Sequence, residues 1–310
     1  MQNFPLFTGV LLLSFLFIAS SCTPLATVMR TGTPAAQAPV TAANVPAQSP
    51  PSASGSPLAG PISGGTGWVR VFSDEFGTGR LDGSKWTHCY WWEDGGCTNL
   101  GNQNHQWYTA ANIAGRNGAL ELTAREQSVR GIDDRIFDYT SGIITTGRYY
   151  EERPGPDRFS FTYGYVEVRA RIPAGQGLWP AIWLLPSTHR SLPEIDIMEV
   201  LGHRPNVVEM HLHYQDGSGE RRSVNRSRTV SDLSQGYHVY GLEWSADAIV
   251  WYLDGVELWR FTDASVIPRE PMYLLVNLAV GGTWPGAPDE TTRFPAQFLI
   301  DYVRIWQRGQ

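Results

Sequence analysis

The chain has 310 residues, with 24 lysine and arginine residues against 30 aspartate and glutamate residues, for a formal net charge of −6. This acidic balance, without a basic patch, argues against nucleic acid as a partner. Arg30 is the only charged side chain before residue 68, so every acidic residue lies in the rest of the chain. The length allows one large β domain or two small ones.

An apolar stretch opens the chain. Residues 6–20 are too short for a comfortable transmembrane helix and suit the hydrophobic region of a secretory signal peptide. The segment before Cys22 reads Ile-Ala-Ser-Ser and resembles a bacterial lipobox, whose cysteine is lipidated after cleavage. Ala19 stands where leucine is usual, and no basic residue precedes the stretch. We expect residues 1–22 to be a signal peptide, with lipidation of Cys22, and the protein to be secreted or held at the cell surface.

The next segment, residues 23–67, is rich in Pro, Ala, Ser, Thr and Gly. It lacks the apolar surface needed to fold, so we predict a disordered, flexible tether. After a lipid anchor, this tether would hold the following domain away from the membrane. The anchor would be the only link to a membrane. The folded domain is then expected at residues 68–310.

Short alternating runs, broken by Gly, Pro, Asn and Asp, characterise the chain from residue 68 onward. Residues 249–253 and 256–261 flank an Asp-Gly pair, which is typical of a β-hairpin. Many short strands with few helices predict an all-β fold, namely a two-sheet antiparallel β-sandwich. Further strand candidates cover residues 120–124, 165–172, 207–214, 273–280 and 299–306, with Val166, Val168, Ala170 and Ile172 facing inward.

Three carboxylates lie within one short apolar run, where residues 194–199 read Glu-Ile-Asp-Ile-Met-Glu. The β-branched neighbours predict a strand, and burying three acids in it is costly without a purpose. Glu194 and Asp196 share a face, whereas Glu199 follows Glu194 by five positions and would point the other way in a regular strand. A bulge with Met198 as the extra residue would restore one common face. Paired carboxylates are what glycoside hydrolysis requires; the alternative is a chance cluster on a solvated strand.

This Glu-x-Asp-x-x-Glu run resembles the signature of glycoside hydrolase family 16 in its bulged form, which is typical of laminarinases and related endo-β-1,3-glucanases. The likeness extends over nearly all of residues 68–308. It implies a jelly-roll, concanavalin A-like sandwich with a concave substrate cleft. The other matching segments, in order, are residues 71–76, 139–142, 163–169, 175–183, 277–282 and 301–304.

The resemblance implies roles for the three acids. Glu194 would be the nucleophile that forms a glycosyl-enzyme, and Glu199 the acid that protonates the leaving oxygen and then the base that activates water. Asp196 would orient the nucleophile and help to keep the two pKa values apart. We therefore predict a monomeric, secreted endo-β-1,3-glucanase that cleaves laminarin-like glucans with retention and needs no cofactor for catalysis. Alternatives are a mixed-linkage β-1,3-1,4-glucanase, a galactan hydrolase of the same family and a non-catalytic glucan-binding protein.

Further residues match substrate contacts of the family. Trp179 would stack on a sugar ring beside the cleavage point, Trp183 shares its strand face, and Trp284 would edge the cleft; core packing is the alternative for Trp179 and Trp183. His213 would reach towards the acids, and Asn102 would bind a sugar hydroxyl.

Two local patterns depart from this scheme. Asn104 stands where the family usually has glutamate, which bears on the far glycone subsites and on the preferred glucan. His211 forms a His-x-His pair with His213, which is a pattern that can bind metal. Because no third ligand stands out in the sequence, we expect a structural role for His211 and no zinc.

Two structural features are also expected. Cys89 and Cys97 form an even pair if Cys22 is lipidated, so in an exported protein a disulfide loop is expected, with two free buried thiols as the alternative. That loop would stiffen an aromatic edge of the cleft. The resemblance also implies a structural Ca²⁺ away from the cleft; the matching ligands are Glu75, Gly118 and Asp301, and a hydrogen-bonded aspartate without metal is the alternative.

Overall fold

The computed structural model describes residues 60–62, 66–92 and 95–309. The predicted signal peptide, Cys22 and nearly all of the predicted tether lie outside these residues. Within them, no helix has both the length and the apolar character needed to cross a membrane. Three 3₁₀ helices cover Ala110–Asn112, Ile132–Asp134 and Tyr150–Glu152. The strands are β1 Trp68–Asp74, β2 Gln106–Tyr108, β3 Ile113–Arg116, β4 Ala119–Arg130, β5 Ile136–Ser141, β6 Ile143–Thr145, β7 Gly164–Arg171, β8 Leu178–Pro186, β9 Glu194–Glu199, β10 Val207–Gln215, β11 Arg221–Thr229, β12 His238–Trp244, β13 Ile249–Leu253, β14 Val256–Phe261, β15 Met272–Val280 and β16 Ala296–Arg308.

These strands form two sheets, so the predicted all-β sandwich is confirmed. The larger, ten-stranded sheet follows the order β14-β13-β12-β7-β16-β4-β5-β2, with β1 beside β16 and β3 beside β4. The smaller, six-stranded sheet follows the order β11-β10-β9-β8-β15-β6. The described pairings are antiparallel except that of β2 with β5, which is parallel.

Alternation along the central strands builds the layer between the sheets. Val166, Val168 and Ala170 of β7 are fully buried, as their spacing predicts, and they share one apolar cluster with Ile182 of β8 and Ile195 of β9. Since successive side chains point to opposite faces of a sheet, the neighbours of Ile182 and Ile195 point away from this core. The outer face of the six-stranded sheet therefore carries the polar and aromatic residues of β8 and β9.

Strand β9, which carries the three acids, contains the expected bulge, but its extra residue differs from the prediction. Met198 pairs with Ile182, and Asp196 pairs with Trp183, so Ile197 is the residue that has no partner on β8. The prediction that Met198 is the extra residue is therefore wrong. Both residues bury their side chains, and hydrophobicity alone does not say which of them the ladder skips.

The hairpin β13–β14 forms with the predicted bounds. Its two turn residues, Asp254 and Gly255, have φ angles of 50° and 84°. Positive φ at both central positions is the type I′ geometry, whose twist matches that of the flanking strands. The Asp-Gly pair in the sequence thus accounts for the position of this turn.

Candidate active site

Strands β8, β9 and β10 lie side by side and bring the polar residues of the six-stranded sheet together. On β9, the bulge returns the last carboxylate to the face of the first two. All three acids therefore lie next to β10, the neighbouring strand that carries His211 and His213. The register pairs Glu194 with His213, Asp196 with His211, and Glu199 with Glu209.

A cleft of about 700 Å³ opens over these residues. The three acids line it, and so do all five residues predicted to contact substrate. Together these are Glu194, Asp196, Glu199, Asn102, Trp179, Trp183, His213 and Trp284. A cleft of this size, open along a sheet and lined by aromatic rings with a few polar groups, suits a sugar chain.

Both oxygens of Glu199 have a neighbour in the cleft. The indole Nε1 of Trp179 donates a hydrogen bond of 3.1 Å to Oε1. Nδ1 of His211 lies 2.7 Å from Oε2, which is within ion-pair distance. The Glu199 residue is 8% exposed, so these contacts replace most of its water. They fix the orientation of a carboxyl group that faces the cleft.

Asp196 is the most deeply buried of the three acids, at 2% exposure. Its Oδ2 has no hydrogen-bond partner among the described residues. The nearest histidine nitrogens are Nε2 of His213 at 3.3 Å and Nδ1 of His211 at 3.9 Å. Its backbone carbonyl accepts a hydrogen bond of 2.8 Å from Nε1 of Trp251, which ties β9 to the larger sheet.

Burial and mutual repulsion change the protonation of the first two acids. Burial, with the negative charges of Asp196 and Glu199, raises the pKa of Glu194 to about 8, although His213 and Arg221 act in the opposite direction. Burial and the charge of Glu199 raise the pKa of Asp196 well above its usual range. A side-chain contact with Glu194 acts in the opposite direction, so we treat the two carboxyls as a pair that shares one proton. Because Asp196 is the more buried, we place the shared proton on Asp196, which leaves Glu194 as the carboxylate.

The two histidines differ in charge state. For His211, burial acts against protonation, but contact with Glu199 and the charges of Asp196 and Glu209 raise its pKa overall. For His213, burial lowers the pKa and outweighs the charge of Glu194. His213 is thus neutral at neutral pH, while its surroundings favour protonation of His211.

Trp183 forms the floor of the cleft rather than its rim. It is 9% exposed, and its Nε1 donates a hydrogen bond of 2.7 Å to Oδ1 of Asn277. The amide of Asn277 donates in turn to the hydroxyl of Tyr108 at 3.0 Å. This chain of bonds fixes the position of the indole, so Trp183 combines a cleft-lining position with core packing.

Trp284 stands at the opposite edge and is 38% exposed. Its ring meets those of Trp179 and His211 edge-on, with centroids 5.3 Å and 5.8 Å away. The adjacent Thr283 donates its backbone N–H to the carbonyl of Asn102 at 3.0 Å. The loop that carries Trp284 is therefore fixed to the loop that carries Asn102.

Asn104, the departure from the family pattern, supports the same pair of loops. It is 7% exposed, and its side-chain amide donates a hydrogen bond of 2.9 Å to the carbonyl of Gly281. A Cβ atom on the next residue, Gly282, would lie 2.9 Å from this amide and 2.7 Å from the carbonyl of Asn102. Asn104 thus acts as a donor to the backbone at a position where glutamate would present an acceptor.

A disulfide joins Cys89 and Cys97, whose Cα atoms are 4.6 Å apart. Within this loop, Tyr90 and Trp92 stack with ring centroids 3.9 Å apart, and Tyr90 meets Trp183 edge-on at 6.1 Å. These rings line one end of the cleft. The covalent link therefore lies directly behind an aromatic wall.

Three cleft residues carry contacts that sequence reasoning did not assign. His211, expected to be structural, lies against Glu199 and lines the cleft. Arg221 places Nη2 3.6 Å from Oε2 of Glu194, and Asn277 holds Trp183. The period-two alternation of β10 and β11 could have placed His211 and Arg221 on the cleft face, given the register between the strands.

The residues predicted to bind calcium are engaged with arginines. Both oxygens of Glu75 accept hydrogen bonds of 2.8 Å from Arg304, and Oδ2 of Asp301 accepts one of 2.6 Å from Nη1 of Arg169. Gly118, with φ 78°, lies in the turn before β4. Each of these two carboxylates therefore has a guanidinium group beside it, which does not fit a calcium site built from oxygen ligands. The calcium site stays an untested prediction.

Comparisons with known proteins agree with this architecture. A family model described as "Glycosyl hydrolases family 16" matches residues 101–304. The chain is 37% identical over 253 residues to the Endo-1,3-1,4-beta-glycanase EglC of Rhizobium meliloti (strain 1021), covering 77% of this chain and 51% of that protein. It is 35% identical to the Beta-glucanase of Rhodothermus marinus over 77% of this chain and 85% of that protein.

Among solved structures, the laminarinase catalytic domain from Thermotoga maritima MSB8 superposes with a TM-score of 0.68 and 32% identity, covering 79% of this chain and 100% of that one. The chain spans about half the length of the first curated relatives that it matches. The ordered motifs, the bulged acidic strand and the sandwich agree with these matches, and the chain belongs to glycosyl hydrolase family 16.

Proposed function

We propose that this chain is an endo-β-1,3-glucanase that hydrolyses laminarin-like glucans with retention of anomeric configuration. The observation that carries the proposal is the placement of Glu194, Asp196 and Glu199 on one face of β9, inside the cleft. Two carboxyl groups on one surface supply the nucleophile and the acid of a retaining glycosidase.

In the first step, the ionised carboxylate of Glu194 attacks the anomeric carbon and forms an ester bond to the sugar. The bond between that carbon and the glycosidic oxygen breaks, and the carboxyl proton of Glu199 goes to the leaving oxygen. Asp196 keeps the neighbouring proton, so Glu194 can carry its charge beside two other acids. Trp179 and His211 hold the carboxyl of Glu199 in place.

In the second step, Glu199 accepts a proton from water, and the resulting hydroxide equivalent attacks the anomeric carbon. The ester bond to Glu194 breaks, and the sugar is released with its original configuration. Glu199 regains its proton and Glu194 its charge, so no co-reactant other than water is needed. No step requires a cofactor.

Substrate choice rests on the aromatic walls of the cleft. Trp179 and Trp284 form one wall, and the disulfide loop with Tyr90 and Trp92 forms the other end. Aromatic faces bind the apolar faces of pyranose rings, so laminarin is the expected substrate class. The name of the Rhizobium meliloti relative describes an endo-acting enzyme, which supports endo cleavage as the expected pattern.

The product profile on laminarin, barley β-glucan and agarose tests this proposal. Rapid release of short oligomers from laminarin is expected, and Glu194→Gln should abolish it. Release from agarose alone, or hydrolysis of laminarin by Glu194→Gln at the wild-type rate, would contradict the proposal.

A second candidate is mixed-linkage β-1,3-1,4-glucan. The name of the Rhizobium meliloti relative includes both linkages, and this observation favours the candidate. Efficient cleavage of barley β-glucan, with laminarin cut more slowly, would select it over laminarin as the preferred substrate.

Export and anchoring complete the proposal. We place the enzyme outside the cytoplasm as a monomer, secreted or held at the cell surface by lipid on Cys22. The apolar residues 6–20 and the disulfide between Cys89 and Cys97 support an oxidising location. Mass spectrometry of the membrane fraction, with and without Cys22→Ser, distinguishes the anchored from the released form.

A further inference from the structure

One cluster in the cleft has the composition of a metal site. Asp196, His211 and His213 each offer a ligand atom, and the three atoms lie within 4.8 Å of one another. We propose that these residues bind Zn²⁺, or a similar divalent transition metal, as a reversible inhibitor that occupies the catalytic centre in place of substrate. Metal binding is independent of the proposed function; only its inhibitory effect rests on that function.

The strand register creates the third ligand that the sequence does not reveal. His211 lies opposite Asp196, and His213 lies opposite the neighbouring Glu194. The two imidazoles stack with centroids 5.4 Å apart and an interplanar angle of 15°. Their nitrogens therefore approach one carboxylate oxygen from the same side.

The distances are close to those of a tetrahedral metal centre. Oδ2 of Asp196 lies 3.3 Å from Nε2 of His213 and 3.9 Å from Nδ1 of His211. Ligand atoms of a tetrahedral zinc centre are about 3.3 Å apart, given metal–ligand bonds of about 2.0–2.1 Å. Rotations that move the side-chain atoms by about 1 Å would complete three of the four positions, and the cleft leaves the fourth open to water.

The carboxylate oxygen aimed into this cluster lacks a hydrogen bond. Asp196 is 2% exposed, and its Oδ2 has no hydrogen-bond partner in the described part of the chain. A buried oxygen without a partner carries a desolvation cost that a cation would offset. The carboxyl groups of Glu194 and Glu199 line the same cleft, and negative charge on either of them favours a divalent ion further.

A metal ion bound by Asp196, His211 and His213 would stop hydrolysis because it changes the contacts of the catalytic carboxyl groups. Nδ1 of His211, now 2.7 Å from Oε2 of Glu199, would turn to the metal. Asp196 would lose the proton that it shares with Glu194. The ion would also lie in the cleft that all three acids line, so substrate and metal exclude each other.

Titration of the metal-free full chain with Zn²⁺ by calorimetry, and with Co²⁺ by visible absorption, tests the site without using activity. We expect one ion per chain and a Co²⁺ spectrum typical of four or five ligands that include nitrogen. His213→Gln should weaken Zn²⁺ binding at least about tenfold, because it removes a ligand. If that variant does not fold, Asp196→Asn should give the same loss.

His238→Gln is the matched control. His238 pairs with Asp254 at 2.7 Å, away from the cleft, so its loss should leave Zn²⁺ affinity unchanged. Unchanged binding in His213→Gln or Asp196→Asn, or the absence of a one-to-one complex in the wild type, would overturn the metal site. A chain that binds Zn²⁺ but hydrolyses no glucan would instead contradict the proposed function alone.

Discussion

The indole nitrogen of Trp179 donates a 3.1 Å hydrogen bond to Oε1 of Glu199, so one side chain both lines the cleft and holds the proposed acid. Hydrogen bonds to charged groups contribute about 1.5–3 kcal/mol. A sugar that packs against this ring would therefore contact the same side chain that holds Glu199, the proposed acid.

Trp179→Phe separates these two tasks, because phenylalanine keeps a ring and lacks the donor. We expect kcat on laminarin to fall about tenfold or more, in line with the loss of such a hydrogen bond. Steady-state kinetics provide the measurement. Trp284→Phe, whose indole makes no hydrogen bond to a catalytic acid, is the control, and its effect should appear mainly in KM. An unchanged kcat in Trp179→Phe would remove the positioning role.

Asp196→Asn tests the coupling between the first two acids. The shared proton can also rest on Glu194, and the charge that Asp196 then carries is one of the causes that raise the pKa of Glu194 to about 8. Glu194 must be ionised to attack, so activity is lost as the pH falls through its pKa. Removing the neighbouring charge lowers that pKa, and the acid limb of kcat/KM should move to lower pH. A limb that stays in place or moves upward would argue against the shared proton.

The disulfide variant Cys89→Ser/Cys97→Ser probes the aromatic wall. The bond closes a loop with a sequence separation of 8, and its removal should lower the free energy of unfolding by about 2–3 kcal/mol in the chain-entropy picture. Among the described hydrogen bonds, none joins Tyr90 or Trp92 to the three acids, and both rings line the cleft, so KM should rise more than kcat falls. Thermal unfolding and kinetics on laminarin provide the measurements. An unchanged KM would show that the rings hold their positions without the bond.

Asn104→Asp replaces a donor with an acceptor of nearly the same shape. The carbonyl of Gly281 would lose its partner and face a carboxylate, at an expected cost of about 1–3 kcal/mol of stability. We expect a lower unfolding temperature and a higher KM, because the loop with Trp284 is held through this contact. Asn117→Asp, in the turn before β4, is the comparison, and its KM should stay unchanged. Equal effects in both variants would contradict the role of Asn104.

Much of the fold is readable from the sequence because alternation and turn chemistry are local. The hairpin around Asp254 and Gly255 has the predicted bounds, and the inward residues of β7 are buried. The family motifs locate the three acids on one strand for the same reason. Local patterns do not fix which strands pair at a distance.

The contacts that the sequence did not predict depend on the register between neighbouring strands. His211 meets Glu199 only because β10 pairs with β9 in one specific alignment, and Arg221 reaches Glu194 only through the next strand. The bulge at Ile197 is equally hidden, since Met198 beside it is just as apolar. A shift of one residue would turn each of these side chains to the other face.

Proton NMR of laminarin during the first turnovers of the wild-type enzyme tests the central claim most directly. Glu194 as nucleophile and Glu199 as acid and base predict that the new reducing ends appear first as the β anomer, with the α anomer forming later by mutarotation. Initial appearance of the α anomer would contradict the double-displacement mechanism.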